Sequence, residues 1–273
     1  MRVAETTIGG ARFRWGSRVY VMGIVNVTPD SFSGDGVLDA EAAVRQARRM
    51  IDDGADLIDV GGESTRPGHE PVSAAEELRR VLPVLRRLRA VATVPVSIDT
   101  WKLEVAEAAA EEGAAILNDV WGLQRSAGLA ALAARRGLGL VLMHNQTGTS
   151  YASDLMEEVR ASLRRSLAVA IAAGVPPERV VLDPGIGFGK TAAHGVEVLR
   201  RFAELTELGQ PLLVGVSRKS FLQRMFGQQL EDRLPGTIAS VTAAVLRGAD
   251  IVRVHDVADV VRAVRVAEAL RQE

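Results

Sequence analysis

The run Val19-Tyr-Val-Met-Gly-Ile-Val-Asn-Val-Thr-Pro-Asp-Ser-Phe-Ser33 begins as a nearly unbroken apolar, β-branched segment and breaks into polar residues around Pro29. Apolar and polar positions do not alternate, so the strand it predicts is buried on both faces, as in a parallel sheet covered by helices. Asn26 stands at the break. A buried strand that ends in Asn and runs into Thr-Pro-Asp-Ser sets an amide beside a polar loop.

Outward from this run, apolar stretches of strand length alternate with amphipathic stretches of helix length, the pattern of repeated βα units. The strands are expected at 19–27, 56–61, 95–99, 115–120, 139–144, 180–183, 211–217 and 251–255. Between them, segments such as 40–52, 74–90 and 154–173 carry apolar residues at three- and four-residue spacing. Gly54, Gly113, Gly137, Gly174 and Gly248 follow such segments, where a left-handed helix end is expected. Eight units favour a closed (β/α)8 TIM barrel spanning 1–273 as one domain. An open doubly wound sheet would need a phosphate-binding Gly turn after its first strand, and Val27-Thr28-Pro29 supplies none. Residues 1–18, with Gly9-Gly10 between short pieces, predict a hairpin closing the bottom of the barrel.

Charge and composition narrow the function classes. A net charge of −1 gives no electrostatic case for a nucleic-acid or anionic-membrane partner, so the expected partner is a small molecule. No cysteine means no disulfide, thiolate nucleophile or zinc thiolate site. No apolar run reaches the roughly 18 residues of a membrane span, and no secretory segment opens the chain, so a cytoplasmic location is expected. Of 33 cationic side chains only Lys102, Lys190 and Lys219 are lysines. Lys102, at a helix start, reads as neutral drift from Arg; the other two lie in Gly/Ser-rich turns after strands and invite a reason.

In such barrels the site sits at the C-terminal rim. The strand ends here are polar in every case: Asn26; Glu63 to Gly68; Asp99; Asn118-Asp119; His144-Asn145; Asp183; Ser217 to Ser220; Arg253 and His255. Each has a bland reading, as a helix cap or a turn residue. Turn propensity does not explain why Asp, Asn and Asp close three buried strands. Carboxylates and amides facing one cavity need donors and acceptors, which a flat heterocycle supplies. Arg253 and His255 are two apart on one strand, so both face one side, with Asn26 on the adjacent strand of a closed barrel; the three can grip an anion. The Gly185-Ile-Gly-Phe-Gly-Lys190 run lacks Walker spacing and reads as close backbone approach to a ligand, with Phe188 stacking and Lys190 supporting the loop.

Taken together, Asn26-Val-Thr-Pro-Asp-Ser-Phe-Ser33, Gly61-Gly-Glu-Ser-Thr-Arg-Pro-Gly68, Asp183 to Lys190, Ser217-Arg-Lys-Ser220 and Arg253-Val-His-Asp256 resemble the dihydropteroate synthase family. The resemblance implies a Mg²⁺-assisted enzyme joining 4-aminobenzoate to 6-hydroxymethyl-7,8-dihydropterin diphosphate. It implies pterin binding by Asp99, Asn118, Met143, Asp183, Gly215 and Lys219. It implies aminobenzoate binding by Thr65, Arg66, Pro67, Phe188 and Ser220, and diphosphate binding by Asn26, Arg253 and His255, with Asn26 also the metal ligand. The catalytic set is then Asp99, Asp183, Lys219, Arg253 and His255, with 28–36 and 64–70 as lids. Two rivals stay open: a methyltetrahydrofolate methyltransferase with a corrinoid partner, and a non-catalytic pterin-binding paralogue. Neither needs Arg66, Arg253 and His255 together. The family's Pro is missing from Met143-His-Asn-Gln-Thr-Gly-Thr149, which leaves that loop's shape open, and Gly195 replaces a frequent Asn. Ile238, Val241, Val245, Val260, Val261, Val264 and Val266 exceed what one inward helix face needs and predict a homodimer interface, as the resemblance also implies.

Overall fold

Gly9 and Gly10 hold φ of 56° and 79°, the left-handed pair that a two-residue hairpin turn requires. In this computed structural model, which describes residues 2–28, 36–64 and 71–271, they join β1 (Glu5–Ile8) to β2 (Ala11–Arg14), antiparallel. Eight parallel strands follow: β3 (Tyr20–Asn26), β4 (Leu57–Gly61), β5 (Val96–Asp99), β6 (Ile116–Asp119), β7 (Gly139–Met143), β8 (Val180–Asp183), β9 (Leu213–Val214) and β10 (Ile251–Val254). They lie in the order β8-β7-β6-β5-β4-β3-β10-β9, and a bridge between Leu182 and Leu212 brings the two ends together. The barrel is closed, as the eight-unit pattern predicts.

Around it run α1 (Gly36–Asp52), α2 (Ala74–Val91), α3 (Leu103–Glu111), α4 (Gly128–Arg136), α5 (Leu155–Ala172), α6 (Ala192–Arg200), α7 (Phe221–Phe226), α8 (Arg233–Val245) and α9 (Val257–Arg271). All five glycines expected at helix ends have positive φ, from 65° at Gly137 to 103° at Gly54. Among the described residues no helix is long and apolar enough to cross a membrane.

Side-chain alternation divides the barrel interior into floors. Ile8, Phe13 and Trp15 of the hairpin region fill the bottom together with Met22, Leu57, Ile116, Val141, Val181, Leu213 and Ile251, one or more from most strands. Trp15 stacks on Phe13 at 5.4 Å, and Tyr20 meets Phe13 edge-on at 4.9 Å. Because successive strand residues face opposite sides, positions two further up each strand point into the same barrel. Those positions are Asp59, Asn118, Met143, Asp183, Gly215 and Arg253, with Asn26 four above Met22. The apolar plug therefore sets which residues face the rim cavity.

Two expectations are corrected. The seventh barrel strand is far shorter than 211–217: only Leu213–Val214 pair as strand. Pro211 has no N–H, and the Leu212 N–H goes to the Asp250 side chain at 2.9 Å instead of into the ladder. The apolar excess on the last two helices is also largely accounted for within the chain. Val241, Val245, Val260, Val261 and Val264 are buried in its own core, leaving Ile238 partly covered and Val266 exposed.

The plug carries the first prediction. Phe13→Ala should lower unfolding free energy by about 3–5 kcal/mol, read from urea denaturation, because it empties the centre of the plug.

Candidate active site

Arg253 stands at the centre of the rim. From β10 its Nε donates to Asp59 Oδ2 at 2.6 Å and its Nη2 to Asp99 Oδ2 at 2.8 Å, so one guanidinium is shared between β4 and β5. Asn118 on β6 donates its Nδ2 to the same Asp59 oxygen at 2.9 Å. Asp59 is fully buried and its other oxygen has no hydrogen-bond partner among the described residues. Burial raises the Asp99 carboxyl to about 7, against the pull of Arg253 and with Asp59 adding to the rise. Burial also works against the Arg253 charge, yet Asp59 and Asp99 outweigh it and raise its pKa.

Opposite lie Asp183 and Lys219. Asp183 accepts the Gly185 N–H at 2.7 Å, so the turn reading is correct as far as it goes. Its other oxygen and Lys219 Nζ both border Gly215: a methyl there would sit 4.0 and 3.8 Å from them. Lys219 donates to the Ile186 carbonyl and lies 4.6 Å from the centre of the Phe188 ring. Burial lowers its ammonium to about 8, opposed by Asp183. Gly185, at φ 69°, lets the backbone pass where a Cβ would be 2.0 Å from the His144 carbonyl.

Lys190 supports this loop, as its position suggests. Its Nζ lies 2.6 Å from His144 Nδ1 and donates to the Phe188 carbonyl at 3.2 Å. Burial lowers Lys190 to about 7, and burial with the Lys190 charge lowers His144 to about 3. The loop after β7, which lacks the expected Pro, is closed by Gln146 donating to Ser150 O at 2.9 Å and Tyr151 donating to Gly189 O at 2.8 Å.

A second pole is formed by Asn26, His255 and Ser217. His255 Nδ1 is 2.9 Å from Ser217 Oγ, and its Nε2 is 3.4 Å from Asn26 Nδ2. Ser217 is placed by an uncommon backbone: Arg218 has φ 55°, with its side chain paired to Asp256 beyond β10. Gly61 separates the poles, since a methyl there would lie 3.7 Å from Asn26 Oδ1 and 3.8 Å from Asp99 Oδ2.

The structure thus brings together Asn26, Asp99, Asn118, Met143, Asp183, Phe188, Gly215, Lys219, Ser220, Arg253 and His255 around one rim. Thr65, Arg66 and Pro67 lie outside the described residues, as do most of the two lid segments. Asp119 separates from its neighbour Asn118: it accepts the Trp121 and Leu123 N–H groups at 2.8 and 2.6 Å and shapes a turn. Sequence reading missed Asp59, although a lone Asp inside Leu57-Ile-Asp-Val60 was a signal. It also missed Trp101 and Trp121, which with Asp99, Val120, Asn145 and Phe188 line a cavity of about 80 Å³. Lys102 is a correction. It is buried and bridges Glu63 and Glu77 in an ion triad, so it is no drifted arginine.

Among the described residues no group of three or more His, Asp or Glu is placed to hold a metal by itself. Mg²⁺ ordinarily keeps several waters and takes one or two protein oxygens plus phosphate. With Asn26 Nδ2 turned to His255, its amide oxygen is a hard donor of that kind, so the residues fit the ion.

Fold and rim define a (β/α)8 enzyme with buried carboxylates, amides and cations gathered at the C-terminal ends of its strands. The family of "Pterin binding enzyme" matches residues 22–255. The dihydropteroate synthase of Bacillus subtilis is 44% identical over 254 residues, covering 93% of this chain and 89% of that one. A Xanthomonas albilineans dihydropteroate synthase structure with 4-aminobenzoic acid superposes with TM-score 0.93 at 42% identity, covering 99% of each chain. Another from that organism, in complex with 7,8-dihydropteroate, gives TM-score 0.88 at 38% identity, again covering 99% of each. The chain belongs to the pterin binding enzyme family, among its dihydropteroate synthases.

The buried lysine gives a pH prediction. Lys190 titrates near 10.5 when unfolded and about 7 when folded. Between these values the unfolded chain binds the extra proton, so this group's contribution is fully present above 10.5 and lost as pH falls toward 7. Urea unfolding of wild type and Lys190→Met from pH 6 to about 10.5 should show a free-energy difference that climbs in favour of wild type across the interval.

Proposed function

We propose that this chain condenses 6-hydroxymethyl-7,8-dihydropterin diphosphate with 4-aminobenzoate, giving 7,8-dihydropteroate and diphosphate. The observation that carries the reading is the pairing of two poles on one rim: carboxylates and an amide at Asp99, Asn118 and Asp183, and the Asn26–His255–Ser217 group beside Arg253.

In this reading the pterin lies among Asp99, Asn118, Met143, Asp183, Gly215 and Lys219. Its N–H donors meet carboxylates whose ionised form they stabilise. The C–O bond to diphosphate breaks with its electrons leaving on oxygen, and the aminobenzoate nitrogen forms the new C–N bond and sheds a proton. Ionised Asp99 and Asp183 favour the positive charge that develops on the pterin, an interaction stronger in the transition state than in the substrate. Arg253 and His255 hold the leaving anion. Asn26 would hold magnesium, which when bound supplies positive charge against the departing diphosphate. No protein nucleophile is required. Thr65, Arg66, Pro67, Phe188 and Ser220 take the aminobenzoate and keep water from competing for the cation. What supports Phe188 is its place against Lys219 and on the cavity wall.

The methyltransferase alternative has no use for a diphosphate grip. Assembly as a symmetric homodimer is part of the proposal, supported by the apolar side chains still exposed on and beside the last two helices, Leu246, Val266 and Leu270.

Product formation from the two substrates tests the reaction, and exhaustive chelation should abolish it. Asn26→Ala should lower kcat by about a hundredfold or more while leaving the melting temperature close to wild type; turnover indifferent to chelation would remove the metal from the account. Light scattering at micromolar concentration should return twice the chain mass, and a monomer would contradict the dimer.

A further inference from the structure

The Asn26–His255–Ser217 pole leans on a turn that glycine would ordinarily complete. After β9 the chain reverses at Val216–Lys219, where the Lys219 N–H donates to the Val216 carbonyl at 3.4 Å and the third turn residue is Arg218 at φ 55°. A left-handed third position usually carries Gly or Asn, so a long side chain persists there only where its surroundings hold it. They hold it from two directions. Thr237 of α8, fully buried, accepts the Arg218 N–H at 3.1 Å, and Arg233 of the same helix donates to the Arg218 carbonyl at 2.8 Å. The Arg218 guanidinium pairs with Asp256 beyond β10, its Nε donating to Oδ2 at 3.0 Å and its Nη2 to Oδ1.

The residue that this turn secures is Ser217. It is buried, and its Oγ accepts the His255 backbone N–H at 3.1 Å while lying 2.9 Å from Nδ1 of the same imidazole. Ser217 and Arg218 therefore grip His255 and Asp256 residue for residue, the first pair by a hydroxyl and the second by a two-pronged ion pair. Because one oxygen meets both the backbone and the ring of His255, it restrains the torsion between them. A hydroxyl accepts from a protonated Nδ1 and donates to a bare one, so the hold survives whichever ring nitrogen carries the proton. The far edge of the ring, Nε2, is left facing Asn26, 3.4 Å from its amide nitrogen.

We infer that Ser217 is the positioning residue of His255 for diphosphate: the clasp of Ser217-Arg218 on His255-Asp256 holds Nε2 toward the anion, and the hydroxyl acts through the imidazole. This rests on the proposed assignment of His255 to the diphosphate site. An imidazole already held in place costs less to order when the anion arrives than a freely turning one. The groups proposed for the pterin are held by separate contacts, Arg253 by Asp59 and Asp99, Asn118 by Asp59, and Lys219 by the Ile186 carbonyl, so the effect falls on diphosphate.

The test compares two constants in Ser217→Ala, Asp256→Asn and His255→Ala: the inhibition constant of inorganic diphosphate with Mg²⁺, and the affinity for the diphosphate-free pterin alcohol by calorimetric titration. Ser217→Ala should raise the diphosphate constant about fivefold or more, the scale of one lost hydrogen bond, with alcohol affinity within about twofold of wild type. Asp256→Asn loosens the other half of the clasp and keeps the hydroxyl. It also removes a negative charge, which alone would tighten anion binding, so the expected rise of about twofold reports position and not charge. A diphosphate constant unchanged in Ser217→Ala, or weakened in step with the alcohol, makes the clasp merely structural and overturns the inference; Asp256→Asn decides by the same readings if Ser217→Ala fails to fold. His255→Ala separates the two levels: if it raises the diphosphate constant while Ser217→Ala does not, only the role of Ser217 falls. If neither variant raises it, the assignment of His255 falls too.

Discussion

One guanidinium held between two buried carboxylates organises the mouth of this barrel. Arg253 reaches from β10 past β3 to Asp59 on β4 and Asp99 on β5, so the curl of the sheet is what makes the contact available. A buried ion pair is weak evidence of net stabilisation, but removing one partner strands a charge at a cost of about 3–5 kcal/mol. The arrangement is therefore hard to lose piecemeal. Asp59 also holds Asn118, which makes this buried carboxylate the hub joining Arg253 of β10 to Asn118 of β6.

The lysines divide the remaining work. Lys219 lies beside Asp183 and against Phe188, where its charge faces the slot. Lys190 meets His144 and the Phe188 carbonyl, and links the loops after β7 and β8. Lys102 gathers the stem after β4. In each case burial opposes the charge, and a compact ammonium with movable donors satisfies partners that a planar fork would not.

Much of this was legible before any coordinates. The eight-strand pattern, the helix-end glycines and the polar strand ends Asn26, Asp99, Asn118, Asp183, Arg253 and His255 follow from periodicity and burial alone. Asp59 was not found, because β4 runs on to Gly61 and the strand-end reading there starts only at Glu63. The same two-residue alternation, started from Leu57 in the plug, places it inside the barrel. Lys102 was misread because its partners are 39 and 25 residues away in sequence, a separation no local pattern reveals. The seventh strand was overextended because the Asp250 side chain takes a ladder donor. The valines of α8 and α9 suggested an interface because inward-facing and outward-facing apolar residues look alike until the second layer of packing is known.

If Asp59 sets the place of Arg253 and Asn118, its charge matters to a ligand it does not touch. Calorimetric titration of the pterin substrate's diphosphate-free alcohol into Asp59→Asn tests that most directly. The substitution preserves size, and far-ultraviolet circular dichroism verifies that the barrel is intact. The account predicts pterin affinity at least about tenfold weaker than wild type, the scale of one charge-assisted hydrogen bond. Unchanged affinity in a folded Asp59→Asn protein would contradict it.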